Sequence, residues 1–151
     1  MEVNRVQIEH RATWMGLIFD ELRRRGLDAE EITRAAIFRC GGIHGDVMRS
    51  KCADPEDARS FQEVFLTDIG VKTFSMANID ADSKNLSVQF HYCPLVNAWK
   101  KLGFDDETCA LLCDIAMDGD RGIAQAMGMD LELSKTLAKG DGICALHFKA
   151  K

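Results

Sequence analysis

The segment His91-Tyr92-Cys93-Pro94 places a thiol where a predicted strand meets a predicted helix. Pro94 restricts Cys93 to extended geometry, which is the backbone conformation of an N-cap residue. The sulfur would face unpaired N–H groups and the positive end of the helix dipole, and both lower the pKa of a thiol from about 8.5. Cys93 is therefore a candidate nucleophile, with His91 as general acid or base. The alternative is a buried, unreactive thiol of the core.

Three other cysteines of the C-terminal half have apolar surroundings in the sequence. Cys109 and Cys113 are one helical turn apart in an apolar stripe, and Cys144 alternates with Leu146 and Phe148 on one strand face. Such positions are typical of core residues or of the wall of a pocket. Their spacing is not that of a zinc or iron site, so we expect no metal and no other cofactor.

Charged residues cluster at a second candidate position, around Gly119. Asp118, Asp120 and Arg121 flank this glycine, where we expect a break between two helical segments. A carboxylate there could orient His91 or bind an amidine, whereas the ordinary alternative is a solvated helix cap.

A glycine-rich stretch surrounds His44 in the second predicted helix. Gly41, Gly42 and Gly45 each cost up to about 1 kcal/mol relative to alanine in a helix interior. Close helix packing is one explanation, and approach of the backbone to a ligand or a break in the helix is the other. His44 is correspondingly either a packed or surface side chain or a substrate-binding one.

The predicted elements give an α+β domain with an antiparallel sheet of about four strands and helices inserted between the strands. One domain is expected over 1–151, with a mainly helical part over 1–69 and the candidate motifs over 70–151. Helices are predicted at 6–25, from an N-cap at Asp28 to about 47, from an N-cap at Asp54 to Gly70, at 94–102 and from Asp105 to 127. Strands are predicted at 71–77, 85–93, 131–137 and 143–149, with a loop at 78–84.

Apolar residues recur at helical spacing in the first two helices, and we expect these stripes to face the core. The first stripe comprises Trp14, Leu17, Ile18 and Leu22. The second stripe comprises Ile32, Ala35, Ala36, Cys40, Ile43 and Val47.

Charge and hydropathy restrict the partners. A net charge of −5 and a pI near 5.3 argue against nucleic acid. No segment approaches the ~20 apolar residues that span a membrane, and no basic region followed by an apolar one opens the chain, so a cytoplasmic protein with reduced thiols is expected. A small-molecule substrate fits this composition, and a homo-oligomer is an open option.

Short motifs of the C-terminal half follow one another in a characteristic order. They are His91-Tyr92-Cys93-Pro94-Leu95, Leu102-Gly103, Leu112-Cys113 with an aspartate a few residues on, Thr136-Leu137-Ala138-Lys139-Gly140-Asp141, and Cys144 with Phe148. This order, over roughly residues 85–149, resembles the L-2-amino-thiazoline-4-carboxylate hydrolase family. The N-terminal helices resemble it only in general character.

The resemblance implies hydrolytic opening of a 2-aminothiazoline ring, with water added at the carbon between ring sulfur and ring nitrogen. The positions that match the family motifs are Cys93, Cys113, Asp120, Asp141 and Cys144, with Asp114 or Asp118 as alternatives for the aspartate. In the hypothesis that follows, Cys93 attacks this carbon, His91 moves the proton, and Asp120 or Asp118 binds the cationic nitrogen.

The Gly-Asp-x-x-Cys-x-x-x-Phe segment that ends at Phe148 also resembles small-molecule-sensing domains of the vinyl-reductase type. This resemblance implies that the chain binds a ligand without transforming it. The cysteines would then line a pocket, and no activated thiol would be needed. A structural or regulatory member of the hydrolase family is a third option.

Overall fold

The computed structural model describes residues 2–151, which form six α-helices and one four-stranded antiparallel sheet. The predicted α+β class is confirmed. The helices are α1 (Glu2–Arg24), α2 (Ala29–Lys51), α3 (Ala58–Phe65), α4 (Asp68–Thr73), α5 (Pro94–Lys101) and α6 (Asp106–Ala126). The strands are β1 (Met76–Ala81), β2 (Asn85–Phe90), β3 (Met129–Lys135) and β4 (Cys144–Ala150), with a 3₁₀ turn at Leu137–Lys139 between the last two.

The sheet brings together chain segments that are far apart in sequence. Its strand order is β1-β2-β4-β3, and every neighbouring pair is antiparallel. The last residue of β2, Phe90, is paired with the first residue of β4, Cys144. The segment that leaves β2 toward Cys93 therefore starts beside the first residue of β4.

Several predicted boundaries between residues 54 and 84 are wrong. The third helix begins after Asp57, whose carboxylate accepts a hydrogen bond from the Arg59 N–H at 2.9 Å, and not after Asp54. Of the strand expected at 71–77 only Met76 and Ala77 belong to a strand, because Thr67 caps α4, which runs to Thr73 and is followed by a turn. The first strand runs through most of the predicted loop, with a register irregularity between Ala77 and Asp80.

Both predicted apolar stripes of the N-terminal helices are wrong as core faces. In α1 the buried residues are Ala12, Gly16 and Phe19, whereas Trp14 of the predicted stripe is 63% exposed. In α2 the exposed residues include all of the predicted stripe, namely Ile32, Ala35, Ala36, Cys40, Ile43 and Val47. α2 thus packs through small residues and α1 through two small residues and Phe19, and both helices leave other large apolar side chains in solvent.

Glycines explain the choice of face in α2. A Cβ atom on Gly41 would lie 2.0 Å from the carbonyl oxygen of Gly119, and one on Gly45 would lie 2.6 Å from the Cβ of Ala126. Close helix packing, one of the two predicted explanations, is therefore confirmed for Gly41 and Gly45, whereas a Cβ atom on Gly42 would have no neighbour within 4 Å. The expected break near Gly119 is wrong, since α6 is continuous from Asp106 to Ala126 and its glycine lies against α2.

Two hydrophobic cores meet at α6. One lies between the sheet and the C-terminal half of α6 and includes Phe148, Leu146 and Cys144. The other joins α1, α5 and the N-terminal half of α6, and its centre is Trp99, whose indole N–H donates to the Ala12 carbonyl at 2.9 Å. No helix in the described part of the chain is long and apolar enough to cross a membrane.

Candidate functional site

Cys93 occupies the N-cap position of α5, as its sequence context predicts. Its φ and ψ of −135° and 108° are extended, and Pro94 follows at the first helical position. The sulfur lies near the backbone amides of Leu95 and Val96, which favour a thiolate, although it completes no capping hydrogen bond. Burial outweighs these amides and raises the pKa of Cys93 to about 11. The expected low pKa is therefore wrong, and the resting thiol is protonated at neutral pH.

Two more thiols lie beside Cys93, one from α6 and one from β4. Burial, with smaller contributions from the neighbouring Cys144 and Cys93, raises the pKa of Cys113 to about 12. Burial also raises the pKa of Cys144, whose sulfur accepts a hydrogen bond from the Leu137 N–H at 3.3 Å. All six cysteines are free thiols. Cys93, Cys113 and Cys144 form what we call the thiol cluster, which lies where the two cores meet.

Asp120 adds a carboxylate next to this cluster. It follows Cys113 by seven residues and therefore lies on the same face of α6. Burial raises its pKa to about 6, and the positive charges of Arg121 and Arg11 oppose this rise only in part. A negative charge on Asp120 in turn raises the pKa of Cys144. Within residues 2–151 its carboxylate accepts no hydrogen bond.

Asp118 and Arg121, both predicted to bind substrate, are engaged in an ion-pair network between α2 and α6. Arg34 of α2 donates to Asp114 at 2.6 Å and to Asp118 at 3.1 Å. Arg121 donates to Asp118 at 2.6 Å and to Asp114 at 2.8 Å. Each carboxylate therefore has two arginine partners. These side chains hold the two helices together, and of the three candidate aspartates Asp114, Asp118 and Asp120 only Asp120 makes no ion pair within residues 2–151.

The remaining predicted site residues lie at the margin of the cluster or away from it. His91 is exposed, and its backbone N–H, not its ring, makes contacts, donating to the Phe74 carbonyl at 3.2 Å. His44 is exposed on α2. Neither imidazole is among the groups that shift the pKa of the three thiols. Asp141 is exposed, and its carboxylate accepts a hydrogen bond from the Thr136 N–H at 2.9 Å, which closes the turn next to Cys144.

Arg34 and Arg11 were not predicted from the sequence. Arg34 follows Glu30 by four residues, a spacing that indicates an ordinary pair on a helix surface, and its 3.0 Å contact with Glu30 does exist. Its partners on α6 are about eighty residues away in sequence. Arg11 acts on Asp120 only through its positive charge, which lowers the pKa of that carboxyl group. No local pattern signals either role.

The arrangement does not provide a metal centre. Among residues 2–151, no group of three or more His, Cys, Asp or Glu side chains is placed to hold a metal ion. The chemistry available to the cluster is that of neutral thiols next to a carboxyl group that titrates near pH 6.

The family model for L-2-amino-thiazoline-4-carboxylic acid hydrolase matches residues 5–148. The chain belongs to this family. The match extends through the N-terminal helices, beyond the segment over 85–149 that carries the motif resemblance. A comparison with curated proteins finds no match.

The hydrolase-family fold is also found in a protein of a different description. The crystal structure of a trafficking protein particle complex subunit 3 from Naegleria fowleri, covalently bound to palmitic acid, has a TM-score of 0.62 to this chain. The two are 15% identical, and the alignment covers 100% of this chain and 97% of the other. At this identity the likeness shows a shared fold alone.

Proposed function

We propose that this member of the family hydrolyses a small cyclic amidine of the 2-aminothiazoline type, with Cys93 as nucleophile and Asp120 as the proton-transfer group. The observation that carries the proposal is the thiol cluster beside a carboxylate without a hydrogen-bond partner whose pKa is about 6. A general acid or base is most effective when its pKa is near the working pH. The family match supports the substrate class.

The first step is ring opening. Asp120 attracts the cationic amidine, and the Cys93 sulfur attacks the carbon that is bonded to ring sulfur and ring nitrogen. A new S–C bond forms, the bond from this carbon to the ring sulfur breaks, and the released sulfur ends with the proton that Cys93 has lost. Because the resting thiol has a pKa of about 11, attack has to be coupled to this proton transfer.

The second step is release by water. Asp120 takes a proton from water, the oxygen bonds to the amidine carbon, and the bond to Cys93 breaks. The sulfur leaves next to the Leu95 and Val96 amides, which stabilise its negative charge, and it then receives the proton from Asp120. The product is a carbamoyl-cysteine, and both side chains return to their starting states.

The test is ring opening of L-2-aminothiazoline-4-carboxylate, followed by the appearance of the product thiol. Cys93→Ala should abolish turnover, and Asp120→Asn should lower kcat about 10²–10⁴-fold, the usual contribution of a general acid or base. Cys40→Ala is the control, because this cysteine is exposed on α2 and does not belong to the cluster. A folded Cys93→Ala protein that opens the ring at the wild-type rate rules out nucleophilic catalysis by this residue.

The raised pKa values of the three thiols favour one other function, a binding module that does not transform its ligand. A pocket wall needs no thiolate, and the fold holds a covalently attached ligand in the palmitate-bound structure. Calorimetry separates the two functions. Binding of the aminothiazoline acid that is weakened by Asp120→Asn, with no product thiol from the wild-type protein, identifies a binding module.

A further inference from the structure

The exposed face of α2 is apolar over most of its length. Ile43 is 63% exposed and Val47 is 47% exposed, and Cys40 lies next to them on the same face. This face points away from the protein, because the opposite face carries Gly41 and Gly45 against α6. From Ala36 to Val47 it is about 16 Å long at 1.5 Å per residue. An apolar stripe of this kind, bordered by charges, is typical of an interaction surface.

The charges along the border of the stripe are self-complementary. Arg39 and Asp46 are seven residues apart, so both lie on the same side of the stripe, and both are exposed. Within the described residues neither makes an ion pair, whereas Arg34 and Arg49 of the same helix do. A two-fold axis between these positions, close to Ile43, would place each Arg39 opposite Asp46 of another copy.

We propose that a second copy of this chain covers the stripe, with two α2 helices packed antiparallel about a two-fold axis near Ile43. Ile43 then faces itself across the axis, and Cys40 faces Val47 of the second copy. The interface is isologous, as in most homodimers, and it buries the apolar stripe that is exposed in one chain. Two reciprocal ion pairs between Arg39 and Asp46 set the register.

The exposed face of α1 is the competing surface. It carries Trp14, Leu17 and Ile18, all at least 46% exposed. The charges at its C-terminal end are paired within the helix, however, as in the 2.8 Å contact of Arg24 with Asp20. The acidic groups that follow Ile18, Asp20 and Glu21, are thus already paired with Arg24 and Arg25, and neither is left to pair with a second copy.

The experiment measures mass in solution by light scattering on the full chain. The wild-type protein should have twice the chain mass of 16.8 kDa, and Ile43→Glu should have the mass of one chain with unchanged helical circular dichroism. Ile69→Glu is the matched control, since Ile69 is 56% exposed on α4 and should leave the dimer intact. A monomeric wild-type protein, or a dimer that is lost in Trp14→Glu and kept in Ile43→Glu, would overturn the proposal.

Charge reversal tests the register independently of hydrophobicity. Arg39→Glu alone should weaken the dimer at least tenfold, because it places like charges opposite each other twice. The double variant Arg39→Glu/Asp46→Arg should return the dissociation constant to within about threefold of wild type. A dimer that is equally weak in the single and the double variant would show that these residues do not face each other.

Discussion

The contact between α2 and α6 gives the sharpest test of the fold. Gly41→Ala adds a Cβ atom that would lie 2.0 Å from the carbonyl oxygen of Gly119 and 2.8 Å from its carbonyl carbon. Real Cβ contacts are not this short, and the obstacle is backbone, which cannot rotate away. The two helices therefore have to separate along their closest contact. Overpacking of this kind costs about 1–3 kcal/mol.

Gly42→Ala provides a matched control one residue away. A Cβ atom there has no neighbour within 4 Å, so only the helix propensity changes, and alanine should stabilise the protein by up to about 1 kcal/mol. The two variants have the same composition and change the unfolded chain in the same way. Their difference in stability, roughly 1–3 kcal/mol, therefore reports the helix contact alone.

Thermal unfolding followed by circular dichroism measures this difference. For a protein of this length 1 kcal/mol corresponds to about 2–4 °C in Tm, so the two variants should differ by about 2–12 °C, with Gly41→Ala the less stable. Urea unfolding at 25 °C checks the same difference as a free energy. Equal stability of the two variants would refute the close contact between α2 and α6 and, with it, the face that α2 presents to solvent.

Three further predictions concern the candidate site and its supports. The pKa of Asp120 is raised from an ordinary value near 3.8 to about 6, so the free energy of unfolding should fall as pH rises from about 4 to about 6. Asp120→Asn should remove this fall and raise the free energy of unfolding at pH 7 by up to about 3 kcal/mol, as measured by urea unfolding. Since the pKa of Cys93 is about 11, its labelling by iodoacetamide at pH 7 should be far slower than that of free cysteine in the same buffer, as measured by peptide mass spectrometry, and equal rates would contradict the burial. Arg34→Met should destabilise the protein by about 1–3 kcal/mol, since Asp114 and Asp118 each lose a partner, whereas Arg25→Met, at an exposed position, should change stability by less than about 0.5 kcal/mol.

The position of Cys93 could be predicted because its cause is local. Pro94 constrains the residue before it, and the change from strand to helix spacing occurs within a few residues. The N-cap at Asp28 was predictable for the same reason, as its carboxylate accepts from the Glu31 N–H at 3.1 Å. The N-cap predicted at Asp54 is wrong, because Pro55 follows it in a turn and the helix begins only after Asp57.

The pKa of Cys93 could not be predicted, because its cause is not local. The amides that would lower it come from the next turn of the chain, but the protein that buries it comes from α6 and β4. The hydrophobic periodicity of α2 predicted the wrong buried face for a related reason. Gly41 lets two backbones approach, and that contact decides which face is buried even though Ile43 is far more hydrophobic.

The three faces of α6 connect these observations. One face carries Cys113 and Asp120 toward the thiol cluster, a second carries Asp118 toward Arg34, and the third carries Gly119 against Gly41. The geometry of an α-helix sets the angles between its faces. Once the glycine face and the ion-pair face are held against α2, the face with Cys113 and Asp120 has only one direction to point in. The contacts of α6 with α2 therefore orient the Asp120 carboxylate toward buried sulfur atoms, although they lie away from the proposed chemistry. This burial raises the pKa of Asp120 to a value that is useful near neutral pH.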